Sequence, residues 1–494
     1  MHTDEAVQGV KFLQLWEHGQ YRYDPNEYHG PALNYLTLPT AKLAAGTPER
    51  LDEGDLRLTP ALFGIGLVLL AFLWKGPLEP AAAAAAAAIT ALSPAMIFYN
   101  RYYIHESLFV FFGALFLLGA WRYGLSGRLG WAAAAGLGLG LMCAAKETFV
   151  FNLAAAAGAA GLARALPRPA GETPLPWHER LAGLAPWAVG LGLGAIAAGL
   201  LFTSFGRNPG GPLDLFRAYL PWFRRAGGAS PHIHPWFFYF ERLLWWRHSG
   251  GPLFTEAAVW LLALAGAAAG FTGWGAPKGR SAFLRFLACY TILLTAIYTV
   301  ISYKTPWCVL SFHYGFILLA GAGAAALWRA LRAPALRAAL ALALAAAAAH
   351  LGAQAWRVIK PYAASPANPW VYAHTDPELL KLVRRVQGIR AVHPRPERMV
   401  VKVMASGGDY WPLPWYLRNL PHVGWYDREP EDPFADVVIA GGRINPKLDE
   451  RSQDWIMAGY YKLRPKVFLS LYAKFDLWKA YVETLPPPEE RQDD

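Results

Sequence analysis

Ten runs of mainly apolar residues limit what this chain can fold into. Each run approaches the ~20 residues that an α-helix needs to cross about 30 Å of hydrocarbon. With 55% apolar residues, only 16% charged residues and a mean hydropathy of +0.21, the 494-residue chain is too apolar for a soluble protein of this size. We therefore predict a mainly α-helical, polytopic transmembrane bundle of about ten spans. The runs cover residues 58–74, 80–99, 106–121, 129–145, 148–163, 183–203, 252–272, 283–302, 307–328 and 335–352.

Basic residues are concentrated in every second loop between these runs. The positive-inside rule assigns those loops to the cytoplasm, which places residues 1–57 and the chain after about residue 353 on the outer side. The topology explains the net charge of +11. Because the cations form no contiguous patch, we expect membrane lipids but no nucleic acid as partners. The basic set is Lys75, Arg122, Arg128, Arg164, Arg168, Arg180, Lys278, Arg280, Arg285, Arg329, Arg332 and Arg337.

Three regions follow from this topology. Residues 1–57 are predicted to form an outer acidic and aromatic segment with an interfacial helix, residues 58–352 the transmembrane bundle, and residues 353–494 a small outer α/β domain. In the last region, Thr375 and Pro377 open a helix whose apolar face is Leu379, Leu380, Val383 and Val386. Residues 399–404, 436–440 and 467–475 are predicted strands. The turns after them lack the GxGxxG spacing of a nucleotide site.

The outer loops contain nearly all of the unusual polar motifs. Separate membrane-edge anchors would be expected on both sides, so their presence on one side favours a shared site. The motifs are the segments around Asp4 and Tyr28, residues 100–106 (NRYYIHE), residues 146–148 (KET), residues 232–236 (HIHPW) and residues 303–307 (YKTPW).

The first of these segments is an amphipathic helix. Thr3 can cap it, apolar residues recur at spacings of three and four, and Gly19 follows its end. Asp4 and Glu5 occupy the first turn, where the helix dipole keeps a carboxylate ionised. Such acids can accept a proton or bind a cation, or they can merely complement the dipole.

Six fragments of the sequence resemble one family of membrane enzymes. They are HTDEAV at 2–7, YRYDPNEYHGPALNYLT at 21–37, RYYIHESLFVFF at 101–112, AAKETFVF at 144–151, YKTPW at 303–307 and DYWPLPWYLR at 409–418. Together they resemble the GT-C class of glycosyltransferases, specifically the prokaryotic group similar to dolichyl-phosphate-mannose protein mannosyltransferases and often labelled flippase-activity-associated. In that class a transmembrane helix normally precedes the acidic motif, so we expect an apolar stretch upstream of Met1 in the gene.

The resemblance implies an enzyme of the cell membrane. It would take a sugar from a polyprenyl-phosphate donor and transfer it, with inversion, to a protein, lipid or glycan acceptor on the non-cytoplasmic face. The alternative is a non-catalytic accessory of a lipid-linked-sugar flippase or transporter. A transporter would place its polar residues near the bilayer midplane, whereas the runs here are nearly free of mid-depth charge.

The resemblance also implies roles for particular residues. Asp4 is the expected general base, with Glu5 beside it raising its proton affinity by like-charge coupling. Glu106 either positions the acceptor or sugar or pairs with Arg101. Lys304, next to the helix break at Pro306, is the first candidate for the lipid phosphate, and snorkelling to the headgroups is the alternative. The predicted substrate-binding residues are Tyr28, His29, Arg101, Lys146, Glu147, His234 and Lys304.

No cofactor is expected from the sequence. The outer-side histidines, together with Asp4 and Glu106, leave a divalent metal as an alternative, but no pair has a diagnostic spacing such as HExxH. Cys143, Cys289 and Cys308 lie in or beside apolar runs without the spacing of a zinc site or a disulfide framework.

Overall fold

The structure is a computed structural model that describes residues 1–19, 21–26, 29–169, 184–227, 232–277 and 279–486. Arg180 and Lys278 of the basic set and Tyr28 of the predicted site lie outside these ranges. The chain forms two compact units. One contains Gln14–Tyr372, here called the bundle unit, and the other combines Met1–Leu13 with Ala373–Asp494, here called the α/β unit.

Each predicted apolar run forms helix, which confirms the mainly α-helical membrane fold. Six helices of the described chain are long and apolar enough to cross a membrane. They are α3 (Glu53–Leu73), α6 (Glu106–Ser126), α9 (Leu184–Phe202), α14 (Ser281–Val300), α15 (Val309–Ala330) and α16 (Pro334–Ile359). Four shorter apolar helices fill the remaining runs. They are α4 (Pro80–Leu92), α7 (Leu129–Ala145), α8 (Phe149–Ala165) and α13 (Ala257–Thr272).

Shorter helices lie in the loops of the bundle unit. They are α2 (Ala32–Ala44), α5 (Pro94–Tyr99), α10 (Gly211–Arg217), α11 (Tyr219–Gly227) and α12 (Phe238–Leu244). The run at 80–99 is divided into α4 and α5 because Pro94 has no N–H to continue the helix. Glu256 satisfies the break: its carboxylate accepts hydrogen bonds from the Ser93 hydroxyl (2.6 Å), the Ala95 amide (2.9 Å) and His313 Nε2 (3.0 Å).

Glycines allow α7 and α9 to pack closely. A Cβ at Gly136 would lie 1.7 Å from the Gly190 carbonyl oxygen, and one at Gly140 would lie 2.1 Å from that of Gly194. Each helix therefore presents two glycines four residues apart to the other, the small-residue pattern that lets membrane helices approach through their backbones.

One end of the bundle unit collects the basic loops. Three arginines donate hydrogen bonds to backbone carbonyls of neighbouring loops, and all three belong to the basic set. The bonds are Arg122 to Leu73 (2.7 Å), Arg280 to Lys75 (2.9 Å) and Arg329 to Gly275 (2.7 Å). Arg285, predicted in the same loops, instead lies inside α14, is buried, and donates to the Ala163 and Gly270 carbonyls that α8 and α13 leave unpaired near their ends.

The α/β unit contains a five-stranded mixed sheet of order β2-β1-β3-β5-β4. The strands are β1 (Val400–Met404), β2 (His422–Tyr426), β3 (Val437–Gly441), β4 (Trp455–Arg464) and β5 (Val467–Lys474). β1 pairs in parallel with β2 and β3, while β5 is antiparallel to β3 and β4. Helices α17 (Glu378–Val392), α18 (Leu413–Tyr416) and α19 (Phe475–Glu483) complete the unit.

The buried face of α17 differs in part from the prediction. Leu379, Val383 and Val386 pack in the core as expected, together with Leu382 and Ile389. Leu380, predicted on this face, is 43% exposed. Because leucines occupy positions 379, 380 and 382, the sequence does not determine which of them belong to the buried face of the helix. Packing against the sheet buries Leu379 and Leu382.

Helix α1 (Thr3–His18) ends as predicted, but Thr3, the expected cap, is its first residue. Gly19 follows in the left-handed conformation (φ +64°), which glycine adopts without the steric cost of a Cβ atom.

Candidate functional site

The segment after Tyr28 is fastened to two other motifs through Gly30. The Gly30 amide donates to the Ala145 carbonyl (3.1 Å), and His105 Nε2 donates to the Gly30 carbonyl (3.0 Å). A Cβ at Gly30 would lie 2.1 Å from the Ala144 oxygen, so only glycine permits this approach. Three of the predicted motifs thus meet where α6 begins and α7 ends.

Two ion pairs are formed at this junction. Lys146 Nζ lies 2.5 Å from Glu106 Oε1, with both side chains buried, and His29 Nδ1 lies 2.9 Å from Glu147 Oε2. Neighbours on the chain therefore pair with different partners, since adjacent side chains do not face each other. Of the two alternatives for Glu106, pairing with Arg101 is not what the structure shows.

The two ion pairs affect the pKa values of Lys146 and Glu147 and of the neighbouring His105. Burial alone would lower the pKa of Lys146, but the Cys308 sulfur and the Glu106 and Glu147 carboxylates raise it well above its usual range. Burial opposes ionisation of Glu147, but His29 and Lys146 outweigh it and lower the pKa of Glu147 to about 2. Burial, followed by the charges of His29 and Lys146, lowers the pKa of His105 well below its usual range. Lys146 and Glu147 are therefore charged at neutral pH, and His105 is neutral.

Motif 303–307 contacts both this junction and motif 232–236. Lys146 Nζ lies 3.9 Å from Cys308 Sγ, directly after that motif. The Lys304 amide donates to the His232 carbonyl (2.8 Å), and the His234 amide donates to the Ser302 carbonyl (3.0 Å). Within the bundle unit, the structure therefore brings four of the motif loops and the described residues after Tyr28 into one connected network, of which the Asp4 segment is not part.

Lys304 is almost completely buried, with 1% of its surface exposed. Its ammonium group donates to the carbonyls of Ile301 (2.5 Å) and His234 (3.2 Å). Burial lowers the pKa of this lysine. Across the described ranges no carboxylate forms an ion pair with Lys304, so its positive charge is solvated by carbonyl dipoles and not neutralised.

Arg242 on α12 is a second uncompensated cation. Its guanidinium lies 3.7 Å above the Phe238 ring and 4.6 Å from the Trp246 ring, and it donates to the Phe238 carbonyl (3.2 Å). Its buried Nε has no hydrogen-bond partner among the described residues. In the described part of the chain, Arg242 has no carboxylate within ion-pair distance.

His232, His234 and Tyr372 lie between these two cations. Both histidines share the Tyr372 hydroxyl, through His232 Nδ1 at 2.8 Å and His234 Nε2 at 2.9 Å. The His234 ring stacks on Phe238, the ring that Arg242 covers. We call Lys304, Arg242 and these three residues the cationic cluster.

The positive charge of the cationic cluster affects the pKa of His234. Burial, followed by the electrostatic influence of Arg242, His232 and Lys304, lowers the pKa of His234 to about 4. His234 is therefore neutral at pH 7, and both cations act on it. An anion bound here would reverse the electrostatic part of this shift.

The acidic pair at the start of the chain belongs to the α/β unit. Glu5 is buried and its carboxylate accepts a hydrogen bond from the His2 amide (2.9 Å). The Asp4 amide donates to His2 Nδ1 (3.1 Å), but among described residues the Asp4 carboxylate makes no hydrogen bond or ion pair. Glu5 is thus engaged in helix capping, and Asp4 keeps its carboxylate available.

Arg101 is exposed and forms no ion pair with any described residue. It stays a predicted substrate-binding residue, and the other predicted site residues likewise keep their predicted roles. Concerning metals, the described residues include no group of three or more His, Cys, Asp and Glu side chains arranged to hold an ion.

Sequence reasoning missed Arg242 and Tyr372. A signal for Arg242 is present, because Phe238 precedes it by four residues, the spacing at which helical side chains meet. Tyr372 carries no comparable signal, since its partners are 138 and 140 residues away.

The fold is similar to that of solved GT-C membrane glycosyltransferases, as the motifs indicated. Residues 35–169 match the family model described as dolichyl-phosphate-mannose-protein mannosyltransferase. No curated protein matches the sequence.

Solved structures share the fold at low identity. ArnT from Cupriavidus metallidurans bound to undecaprenyl phosphate superposes with a TM-score of 0.57 at 14% identity, covering 95% of this chain and 93% of ArnT. Its apo state gives a TM-score of 0.52. The archaeal oligosaccharyltransferase AglB from Archaeoglobus fulgidus, in complex with an inhibitory peptide and a dolichol-phosphate, gives 0.53 at 13% identity. The match covers 89% of this chain but only 65% of AglB, so this chain spans about two thirds of that structure.

Proposed function

We propose that this chain is a multi-pass glycosyltransferase of the cell membrane. It takes a sugar from a polyprenyl-phosphate donor and transfers it, by an inverting displacement, to an acceptor on the non-cytoplasmic face. The observation that carries the proposal is the cationic cluster, in which Lys304 and Arg242 lie buried or half-buried without a carboxylate partner in the described chain. Cations at the edge of a membrane bundle need an anion, and a lipid phosphate supplies one.

The chemistry of the two cations fits a phosphate. An arginine fork binds two phosphate oxygens at once, while a lysine ammonium acts as a compact point charge. Both would stabilise the charge that builds on the phosphate as its bond to the anomeric carbon breaks. Support comes from the solved relatives of the same fold, since ArnT is bound to undecaprenyl phosphate and AglB to a dolichol-phosphate.

Lys146 and Glu106 receive a different role from Lys304. The Lys146 ammonium is already neutralised by Glu106, so we infer that this pair holds the α6–α7 junction in place. The second carboxylate oxygen of Glu106 is then available to a sugar or acceptor hydroxyl. Arg101, His29 and Glu147 remain candidates for contacts to the same substrates.

Asp4 keeps the role of general base that the resemblance assigns to it. An inverting displacement needs one base to take the acceptor proton while the lipid phosphate leaves. Asp4 suits this role better than Glu5, because the Glu5 carboxylate already caps the helix. The family match over residues 35–169 makes mannose the first sugar to test.

The test is a transfer assay on the purified full chain with polyprenyl-phosphate-mannose. We expect loss of the donor, a mannosylated product in the presence of acceptor lipids or glycans, and inversion at the anomeric carbon by NMR. The variant Asp4→Asn should lose transfer by about 10²- to 10⁴-fold while donor binding survives. Full transfer by Asp4→Asn would move the base to another residue, and donor binding without any transfer by the unaltered chain would favour the accessory role.

A further inference from the structure

A cavity with several polar lining groups lies entirely within the α/β unit, between the C-terminal part of α17 and the end of α18. Its volume is about 420 Å³, in the range of sites that hold small molecules. The lining residues include Gln387, Arg390, Pro396, Tyr416, Asn419 and Leu420. Tyr416 belongs to the DYWPLPWYLR fragment, a motif for which the proposed transfer chemistry provides no role.

The polar groups come from two elements and point to one kind of ligand. Gln387 and Arg390 are three residues apart on α17 and therefore share a face, whereas Tyr416 ends α18 and Asn419 lies three residues beyond it. The lining thus presents a guanidinium and two carboxamides, together with a phenol whose hydroxyl accepts a hydrogen bond from the Met1 ammonium (2.9 Å). Among the residues that the structure describes, no carboxylate lines the cavity.

The Arg390 guanidinium is the positively charged group of the cavity lining. Within the part of the chain that the structure describes, its guanidinium forms neither an ion pair nor a hydrogen bond. Its position in the last turn of α17 complements the helix dipole, but that effect uses only the charge and not the five N–H donors. Those donors suit a planar anion, above all a carboxylate.

We propose that this cavity binds a saccharide that carries a carboxylate, that is, a uronic acid residue of a glycan. Arg390 holds the carboxylate, Gln387 and Asn419 hydrogen-bond to ring hydroxyls, and Pro396 and Leu420 pack against the apolar face of the sugar. That such a glycan serves as the acceptor rests on the proposed function, whereas binding itself does not.

The experiment measures binding by calorimetry with the purified full chain in detergent and without any donor. The probes are tri-galacturonic acid, a neutral galactotriose and galactose 6-phosphate. We expect tri-galacturonic acid to bind at least ~10-fold more tightly than either of the other two. Arg390→Gln should abolish that preference, and Arg390→Lys should retain part of it because lysine keeps the charge without the planar fork.

Arg384→Gln is the matched control, because Arg384 is an exposed arginine on the same helix outside the cavity lining. It should leave binding unchanged. Equal affinity for the acidic and neutral probes, preference for the phosphate, or unchanged binding in Arg390→Gln would each overturn the proposal. The unfolding temperature of each variant shows whether it still folds. If Arg390→Gln does not fold, Asn419→Ala is measured in its place and should weaken binding several-fold. Undecaprenyl phosphate binding should be the same in Arg390→Gln and the unaltered chain. A failure of the saccharide proposal can therefore be distinguished from a failure of the proposed function.

Discussion

At the scale of single residues, the buried pair of Lys146 and Glu106 should matter more for stability than any exposed ion pair. Removing one member of a buried pair leaves the other charge buried and alone, which costs about 3–5 kcal/mol. We expect Lys146→Met to lower the free energy of unfolding by about this amount, and the double variant Lys146→Met/Glu106→Gln to recover part of it. Thermal unfolding in detergent provides the measurement.

Arg217→Met serves as the control for this pair. Arg217 forms an exposed ion pair with Asp214 at 2.9 Å, and such pairs contribute at most ~1 kcal/mol. If the double variant is no more stable than Lys146→Met alone, then the lysine stabilises the bundle by packing and not by charge.

Glu147 gives a pH dependence with a defined sign. Its folded-state pKa of about 2 lies below the ordinary value of 4.5, so its contribution to stability is present above pH 4.5 and is lost as the pH falls towards 2. The difference in unfolding temperature between the unaltered chain and Glu147→Gln should therefore be constant from pH 7 to about 5 and shrink below that. A difference that stays the same down to pH 3 would show that the His29 contact does not depend on the charge of Glu147.

The pairings at this scale could not be read from the sequence. Apolar runs and basic loops located the five outer motifs, but Glu106 and Lys146 are 40 residues apart and His29 and Glu147 are 118 apart. Several charged partners were available to each of them. Which charges face one another depends on the approach of α6 to α7 and on the close contact at Gly30, both of which are tertiary features.

At the scale of secondary-structure elements, the glycines between α7 and α9 should determine whether the bundle packs. Gly136→Leu places a side chain where the Gly190 carbonyl lies, and overpacking of this kind costs about 1–3 kcal/mol or more. We expect a lower unfolding temperature and a poorer yield of monodisperse protein. Gly192→Leu on α9 is the matched control, because a Cβ there meets nothing within 4 Å. Equal effects of the two substitutions would mean that helix propensity, and not the contact, is responsible.

Helices of the bundle could be predicted because their apolar runs are long, while two strands of the α/β unit could not. Strand β2 is a short edge strand without buried positions and contains Gly424. Strand β4 has register shifts at Met457/Gly459 and Lys462/Arg464, which interrupt the alternation of buried and exposed residues. Strands β1, β3 and β5, which are mostly buried, match the predicted positions to within a residue or two.

At the scale of the whole molecule, the basic loops predict the orientation in the membrane. A reporter tag at Ser126 should be cytoplasmic, whereas tags at Ser249 and Ser452 should be outside, as measured by protease access or compartment-specific labelling of intact cells. Ser126 follows the basic residue Arg122 at the end of α6, and Ser249 follows α12 near the cationic cluster. Finding Ser126 and Ser249 in the same compartment would contradict both the orientation and the placement of transfer on the non-cytoplasmic face.

The central claim is that the cationic cluster binds a lipid phosphate, and the most direct test is the affinity of the purified chain for undecaprenyl phosphate. Lys304→Ala and Arg242→Ala should each weaken binding by ~10-fold or more, since each removes a charge-assisted contact to the phosphate. Arg128→Ala, which removes an exposed arginine from a basic loop, should have no effect. Unchanged affinity in both Lys304→Ala and Arg242→Ala, with the proteins folded, would contradict the assignment of the phosphate to this cluster.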